Sequence, residues 1–289
     1  MLKIAKFSAI IILIGIGFTS CQSNSKPKSS KKEEALVEFG IRASFTQLLK
    51  DCPEAGSIVV YDYQNKLWTL SDSVNTKKET LPASTFKIIN FLIALETEVI
   101  KDENDIVKWT NDYDTIKYGH RPDIYRDMTI EEAFKVSAGW VFIELAKKIG
   151  KDKYRKYLTE SNYGNLNLTQ EDFDFWNFGK FGISPINQVE FLKNLYEENL
   201  PFSKRNIQLV KSIMINEQNE NYILRAKTGW TRESRMNTGW WVGYIENEKG
   251  TYFFATRLLR DRSLDSGNFG SCRKEITKKV LKELGVLIE

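Results

Sequence analysis

Two residues at the start of one apolar segment could form a nucleophile and its base. Ser84 and Lys87 stand three residues apart, where an apolar run begins that continues to about Val99. If that run is a helix, this spacing puts the hydroxyl and the amine on one face. A serine near a helix N-terminus has backbone N–H groups available to developing negative charge. A lysine one turn deeper is desolvated, which lowers its pKa. The pair predicts nucleophilic catalysis in which a neutral lysine, or the carbamate that it forms with carbon dioxide, removes the serine proton.

Composition excludes several other kinds of chemistry. The chain has one histidine, His120, in a polar, turn-like segment, and we interpret it as an exposed loop residue without a catalytic role. A Ser-His-Asp triad and a histidine-rich zinc site would both depend on it. The sequence contains no CxxC pair, so no metal site is predicted. The net charge is only +4, with scattered lysines and arginines, which argues against a nucleic-acid partner.

A second motif lies at the end of a predicted strand. Lys227-Thr228-Gly229 places a cation and a hydroxyl side by side, which suits a substrate carboxylate, and its glycine lets a ligand lie against the backbone. Ser-x-x-Lys together with Lys-Thr-Gly is the signature pair of penicillin-recognising enzymes. Further segments follow in register: Ser137-Ala138-Gly139, Tyr163-Gly164-Asn165, Trp176 with Ile183-Ser184, Trp230 with the Gly239-to-Gly243 segment, and Arg273.

Taken together, these motifs resemble those of the class D serine β-lactamases, from about residue 40 to the end of the chain. The resemblance implies hydrolysis of β-lactam antibiotics, with resistance to them as the result. It makes Ser84 the acylated nucleophile. Lys87, carbamylated, would be the base for acylation and for the deacylating water. The resemblance implies neither a metal nor a cofactor other than this carbamate derived from carbon dioxide.

The resemblance also implies roles for the supporting residues. Ser137 would relay a proton to the β-lactam nitrogen, and Trp176 would donate a hydrogen bond to the carbamate. The backbone N–H groups of Ser84 and Trp230 would form the oxyanion hole. Lys227, Thr228 and Arg273 would bind the substrate carboxylate, and Gly229, Trp230 and Tyr163 would also belong to the substrate-binding site.

Two positions depart from the family pattern. Gly139 stands where the family has valine, and Asn177 stands where it usually has leucine. Both changes predict a wetter and roomier pocket around Lys87. Carbamylation could then be weaker and hydrolysis slower, or easier water entry could speed deacylation. The substrate spectrum depends on the segments 105–125 and 230–239 and is not predicted, nor is the oligomeric state.

Two alternative functions share this nucleophile. A β-lactam-binding sensor acylates and then stays acylated, but such a domain normally ends a larger multi-span membrane protein. A penicillin-binding-protein-like transpeptidase or carboxypeptidase is disfavoured by the short chain and by the Tyr163-Gly164-Asn165 element. The lifetime of the acyl-enzyme separates a hydrolase from a receptor.

The elements that must position these residues predict an α+β fold. Strands are expected at 56–62, 67–70, 222–228, 240–246 and 251–258. The segment 129–200 is expected to be mostly helical, most clearly at 131–149 and 185–200, and a final helix is expected at 272–284. Strands at both ends with helices between them predict one antiparallel sheet flanked by helices, with a mainly helical subregion.

The N-terminus predicts export. Residues 1–20 have lysines followed by a short apolar core, as in a lipoprotein-type signal peptide, and Cys21 would carry the lipid anchor to the membrane. Ordinary secretion and an uncleaved anchor helix stay open. Residues 21–35 are polar and predict a flexible tether, followed by a catalytic domain at 36–289. The expected location is the periplasmic side of a bacterial cell envelope. There Cys52 and Cys272 could pair, but we interpret both as buried thiols.

Overall fold

The computed structural model describes residues 38–51, 55–233, 235–264 and 267–287. The predicted signal peptide and tether, with Cys21, lie outside the described residues, as does Cys52. Across these described ranges, no helix combines the length and the apolar character needed to cross a membrane.

Within the described residues, seven strands form the main sheet and two more form a small second sheet. In chain order they are β1 (Glu38–Ile41), β2 (Ala55–Asp62), β3 (Leu67–Leu70), β4 (Ile106–Val107), β5 (Met128–Thr129), β6 (Ile215–Gln218), β7 (Tyr222–Glu233), β8 (Met236–Asn247) and β9 (Gly250–Asp261). The main sheet has the order β1-β3-β2-β9-β8-β7-β6, and β4 pairs with β5. All neighbours in the main sheet are antiparallel except β1 and β3. The predicted fold class is confirmed, with one parallel pair at the sheet edge.

The helices are α1 (Ala43–Asp51), α2 (Lys87–Glu96), α3 (Thr115–Tyr118), α4 (Ile130–Lys135), α5 (Gly139–Ile149), α6 (Lys151–Glu160), α7 (Pro185–Tyr196), α8 (Lys204–Ile213) and α9 (Phe269–Glu283). A 3-10 turn, Ala83–Phe86, leads directly into α2. Every residue of α2 from Lys87 to Leu95 is buried, as its apolar sequence predicts for a central helix.

Both faces of the sheet are covered because successive side chains of a strand point to opposite sides. In β2, Ile58 and Val60 join a core cluster with residues of α1 and α9. Val59 and Tyr61 join a second cluster with residues of α2, α5 and α7. The sheet therefore lies between a layer of two terminal helices and the larger helical region, and the catalytic motifs lie where this larger region meets the sheet.

The helix predicted at 131–149 is wrong in one respect that affects the site. The chain leaves the helix between α4 and α5, because Ser137 adopts a left-handed conformation with φ of +60°. The N–H of Ala138 donates to the carbonyl of Ala133 and closes α4. This break places a serine at the junction of two helices.

The predicted end of the strand at residue 228 is also wrong. β7 pairs with β8 continuously from Tyr222↔Asn247 to Glu233↔Met236. The Lys-Thr-Gly motif therefore lies within a long strand, and the residues after it continue along the sheet.

Candidate active site

The candidate nucleophile lies on a strained turn. Ser84 is the second residue of the 3-10 turn, and Ala83 before it has a φ of +52°, which non-glycine residues rarely adopt. The N–H of Ala83 donates to the carbonyl of Trp176 at 2.9 Å. This contact holds the turn, and the hydroxyl of the half-buried Ser84 lies at the cleft.

The predicted nucleophile and base are in contact. Nζ of Lys87 lies 2.7 Å from Oγ of Ser84. Lys87 is 1% exposed, and burial lowers its pKa from 10.5 to about 7. Near neutral pH a large share of this amine is therefore uncharged and able to accept the serine proton.

Lys87 is buried although both departures from the family pattern lie at the cleft. Gly139 and Asn177 both line the cleft, but the lysine beneath them remains buried. The ring of Phe142 covers it, with the centroid 5.2 Å from Nζ. A wetter and roomier pocket around this amine stays a prediction.

A second serine–lysine pair lies opposite the first. Nζ of Lys227 donates to Oγ of Ser137 at 3.0 Å, across the junction of α4 and α5. Lys227 is 5% exposed, and burial, with the charges of Lys87 and two other basic residues, lowers its pKa well below 10.5. The pair can hold and transfer a proton next to the nucleophile, because Ser84 and Ser137 line the same cleft.

Gly229 lets β7 approach the nucleophile. A Cβ at this position would lie 2.7 Å from the carbonyl oxygen of Pro82 and 3.2 Å from the backbone nitrogen of Thr85. Only glycine permits this contact between the strand and the turn of Ser84 without a shift. The closeness brings the backbone beyond Gly229, including Trp230, to the cleft.

Arg273 is attached to the same strand. Its Nη1 donates to the carbonyl of Gly229 at 2.8 Å, and its guanidinium lies 5.8 Å from the centroid of the Trp230 ring. Burial lowers the pKa of Arg273 to about 10, so it stays charged at neutral pH. With Thr228, it offers a cation and a hydroxyl to an anionic ligand at the cleft.

Trp176 lies beneath the nucleophile turn. It is fully buried and stacks on Phe86 with ring centroids 4.8 Å apart. Its Nε1–H is buried and has no hydrogen-bond partner among the described residues. An unpaired buried donor costs free energy, so it favours an acceptor that completes the site.

Tyr163 is not brought to the cleft, and its predicted contact with substrate is wrong. It is fully buried, with its ring against those of Phe86, Phe181 and Phe191. The Tyr163-Gly164-Asn165 segment instead supports the core below the nucleophile turn. Gly164 has a φ of +69°, and a Cβ there would lie 2.7 Å from the carbonyl oxygen of Gly182.

The cleft has a volume of about 830 Å³. Further lining residues, which no sequence motif indicated, come from loops, from short helical turns and from the end of β7: Tyr113, Ile116, Lys117, Tyr118, Gly119, His120, Arg121, Ile124, Phe178, Thr231, Arg232 and Arg262. His120 is exposed, as predicted. Both segments expected to shape substrate choice therefore contribute to the cleft.

Cys272 is disulfide-bonded, which corrects the expectation of a free thiol at this position. Its neighbours in the core come from the face of the sheet that α1 and α9 cover. Where the structure describes the chain, it forms no cluster of three or more His, Cys, Asp or Glu residues that could hold a metal ion.

A buried lysine amine on a serine hydroxyl, facing a Lys-Thr-Gly strand, defines a serine acyl-transfer site of the penicillin-recognising class. The family model of the penicillin binding protein transpeptidase domain matches residues 56–282. Beta-lactamase OXA-10 of Pseudomonas aeruginosa is 37% identical over 80% of this chain and 85% of its own length. Beta-lactamase OXA-2 of Salmonella typhimurium is 38% identical over 78% of this chain and 79% of its own.

Solved structures agree with these relatives. The class D beta-lactamase of Sebaldella termitidis superimposes with a TM-score of 0.80 at 38% identity, covering 87% of this chain and 99% of that one. FUS-1 (OXA-85), a class D beta-lactamase from Fusobacterium nucleatum, has a TM-score of 0.79 at 29% identity over 86% of this chain and 100% of its own. The chain belongs to the class D serine β-lactamases.

Proposed function

We propose that the protein hydrolyses the β-lactam ring of penicillins and cephalosporins and so confers resistance to them. The observation that carries the proposal is the 2.7 Å contact between Nζ of Lys87 and Oγ of Ser84. Membership of the class D family supports the same reaction. The pKa of Lys87, lowered to about 7, provides a base in the absence of a histidine.

In the acylation step, Lys87 accepts the proton of Ser84 while Oγ attacks the lactam carbonyl. The backbone N–H groups of Ser84 and Trp230 stabilise the negative charge on the carbonyl oxygen. The C–N bond breaks, and Ser137 relays a proton to the departing nitrogen, with Lys227 as its hydrogen-bond partner. Lys227, Thr228 and Arg273 bind the substrate carboxylate. Water then attacks the ester and releases the opened acid.

We propose further that Lys87 is carbamylated. Carbon dioxide adds to a neutral amine with release of one proton, and the lowered pKa of Lys87 makes that amine available near pH 7. The carbamate supplies an anionic oxygen base for the serine proton and for the hydrolytic water. Trp176 fits this group, because its buried Nε1–H lacks a partner among the described side chains and backbone groups.

The experiment that tests the hydrolase is to mix the purified protein with a chromogenic cephalosporin and with a penicillin. Absorbance and intact mass are followed together. We expect multiple turnovers and a transient adduct on Ser84. A stable adduct without turnover would contradict hydrolysis and favour the sensor-like function, with Gly139 and Asn177 as the residues to restore first.

Carbamylation has its own test. We expect added bicarbonate to raise the activity of protein prepared without it, and labelled bicarbonate to give a carbamate signal in carbon NMR. Neither effect would be seen if Lys87 acts only as the amine.

For the N-terminal residues we propose export and a lipid anchor on Cys21, on the periplasmic side of the envelope. Metabolic labelling with a fatty acid should mark the full chain, and Cys21→Ser should abolish the label. An unlabelled, secreted wild-type chain would contradict the anchor.

A further inference from the structure

Trp176 lies on a turn formed by residues 174–178, which we call the 174–178 turn. Three separate contacts attach this turn to its surroundings. It is closed internally, because the N–H groups of Asn177 and Phe178 donate to the carbonyl of Asp174 at 2.7 and 3.3 Å. The carbonyl of Trp176 accepts the N–H of Ala83 next to the nucleophile. The carbonyl of Asn177 accepts the hydroxyl of Thr231, on the Lys-Thr-Gly strand, at 2.5 Å.

The third attachment is the side chain of Asp174. Its carboxylate is 1% exposed and forms an ion pair with Lys117, whose Nζ lies 2.8 Å from Oδ2. The hydroxyl of Tyr118 donates to the same oxygen. Burial, and then the hydrogen bond to Asp174, raise the pKa of Tyr118, so the phenol keeps its proton at neutral pH.

Contacts with the ring of Phe178 add to the same attachment. Nζ of Lys117 lies 4.8 Å from the centroid of the Phe178 ring, and Tyr118 meets that ring edge-on at 5.7 Å. Helix α3, which carries both donors, is capped by Asp114. The helix that forms the rim of the cleft is thus fastened to the turn that carries Trp176.

A buried carboxylate is costly unless it is paired. Both partners of the Asp174 carboxylate belong to α3 and meet the same oxygen, Oδ2, while Oδ1 is buried without a partner among the described residues. We propose that Asp174 is a positioning residue for the reaction: it holds the 174–178 turn so that the unpaired indole N–H of Trp176 supports the carbamate on Lys87. This inference rests on the proposed function. Asp174 itself need not touch substrate.

The test uses two matched variants. Asp174→Asn keeps the shape of the side chain but removes its charge. Asp172→Asn removes the other carboxylate bound by Lys117, which lies 2.9 Å from the same nitrogen but is 64% exposed. Each full-length variant is titrated with labelled bicarbonate, and both the carbon NMR carbamate signal and the bicarbonate needed for half-maximal activity are recorded.

We expect Asp174→Asn to need about 10- to 100-fold more bicarbonate than the wild type for half-maximal activity. Loss of a charge-assisted hydrogen bond changes an equilibrium constant by about this factor. Excess bicarbonate should restore much of its activity. Asp172→Asn should shift the requirement less than about fivefold, since exposed ion pairs contribute little. An Asp174→Asn protein that folds and titrates like the wild type would overturn the positioning role alone. A wild type without any carbamate signal would overturn the carbamate as well.

If Asp174→Asn does not fold, the double variant Lys117→Met with Tyr118→Phe removes both donors and leaves the turn sequence intact. It should show the same weakened bicarbonate response. A purely structural role would lower the melting temperature without changing the bicarbonate requirement of the folded protein, and that result would also overturn the proposal.

Discussion

At the scale of single residues, one side chain sets the chemistry. Lys87 is buried, contacts the nucleophile directly, and has a pKa lowered to about 7. A lysine with the ordinary pKa would be protonated at neutral pH and could not act as a base. In the proposed mechanism, this buried amine takes the place of the histidine of other serine hydrolases.

The Lys87→Ala variant should lose steady-state hydrolysis of a penicillin. General base catalysis contributes about 10²- to 10⁴-fold, and we expect a loss at least at the upper end because Lys87 serves both half-reactions. Initial rates of hydrolysis of that penicillin, followed by absorbance, measure the loss, with circular dichroism as the control for folding. Retained turnover would remove Lys87 from the mechanism.

The acylation rate should depend on pH through the same amine. Below pH 7 the protonated fraction of Lys87 grows, so the rate should fall about tenfold for each further pH unit. Above pH 7 it should level off. Single-turnover mass spectrometry of the Ser84 adduct, in buffer without bicarbonate, gives this profile. A flat profile from pH 5 to pH 8 would mean that another group removes the proton.

At the scale of elements, the site depends on the approach of β7 to the 3-10 turn. The carbonyl oxygen of Pro82 would lie only 2.7 Å from a Cβ at residue 229. Beyond this point the strand continues to Glu233, paired throughout with β8. A strand that ended at the motif would leave Trp230 without this support.

Gly229→Ala should therefore reduce kcat/KM, because β7 must move away from the turn. Misplacement by about 1 Å can cost about 100-fold in rate, so we expect a loss of roughly that size. Gly40→Ala in β1 is the matched control, since its Cβ would meet its nearest neighbour at 3.7 Å. Equal activities of the two variants, measured with one penicillin, would contradict the role of this approach.

The break between α4 and α5 is a second feature of the elements that positions a site residue. A continuous helix at 131–149 satisfies the sequence pattern, but the observed break turns Ser137 toward Lys227. The left-handed conformation of a serine is unfavourable locally and persists because the surrounding elements hold it.

At the scale of the whole molecule, burial of cationic side chains makes stability depend on pH. The pKa values of Lys87 and Lys227 are lower in the folded state than in the unfolded chain. Between the two values the unfolded chain binds more protons, so stability rises with pH. For Lys87 the window runs from about pH 7 to pH 10.5. Tyrosines with raised pKa values, such as Tyr154, oppose this above pH 10, where the unfolded chain loses their protons first.

Lys87→Met removes the buried amine but keeps the length of the side chain. Without bicarbonate, this variant should melt above the wild type at pH 6, because the wild type must bury a charge. The difference should shrink as the pH approaches 10, where Lys87 is neutral in the folded state. Thermal unfolding of both proteins across this range tests it. Parallel curves would show that Lys87 carries no shifted pKa.

The sequence alone determined the local features of this protein. A single helical turn is enough to bring Ser84 and Lys87 together. The alternation of side chains in a strand follows from the two-residue period of the strand itself. The motif Lys-Thr-Gly identified its strand, and the order of the motifs identified the family. These inferences hold because each rests on contacts between residues close in the chain or on a pattern repeated along it.

Only the tertiary structure decided the rest. Tyr163 belongs to the core rather than the cleft because α7 and the aromatic side chains around Phe86 surround it. The contact of Ser137 with Lys227 and the attachment of Asp174 to α3 both depend on partners distant in sequence. Such partners contribute free energy only after the chain has folded back on itself, so no local pattern records them.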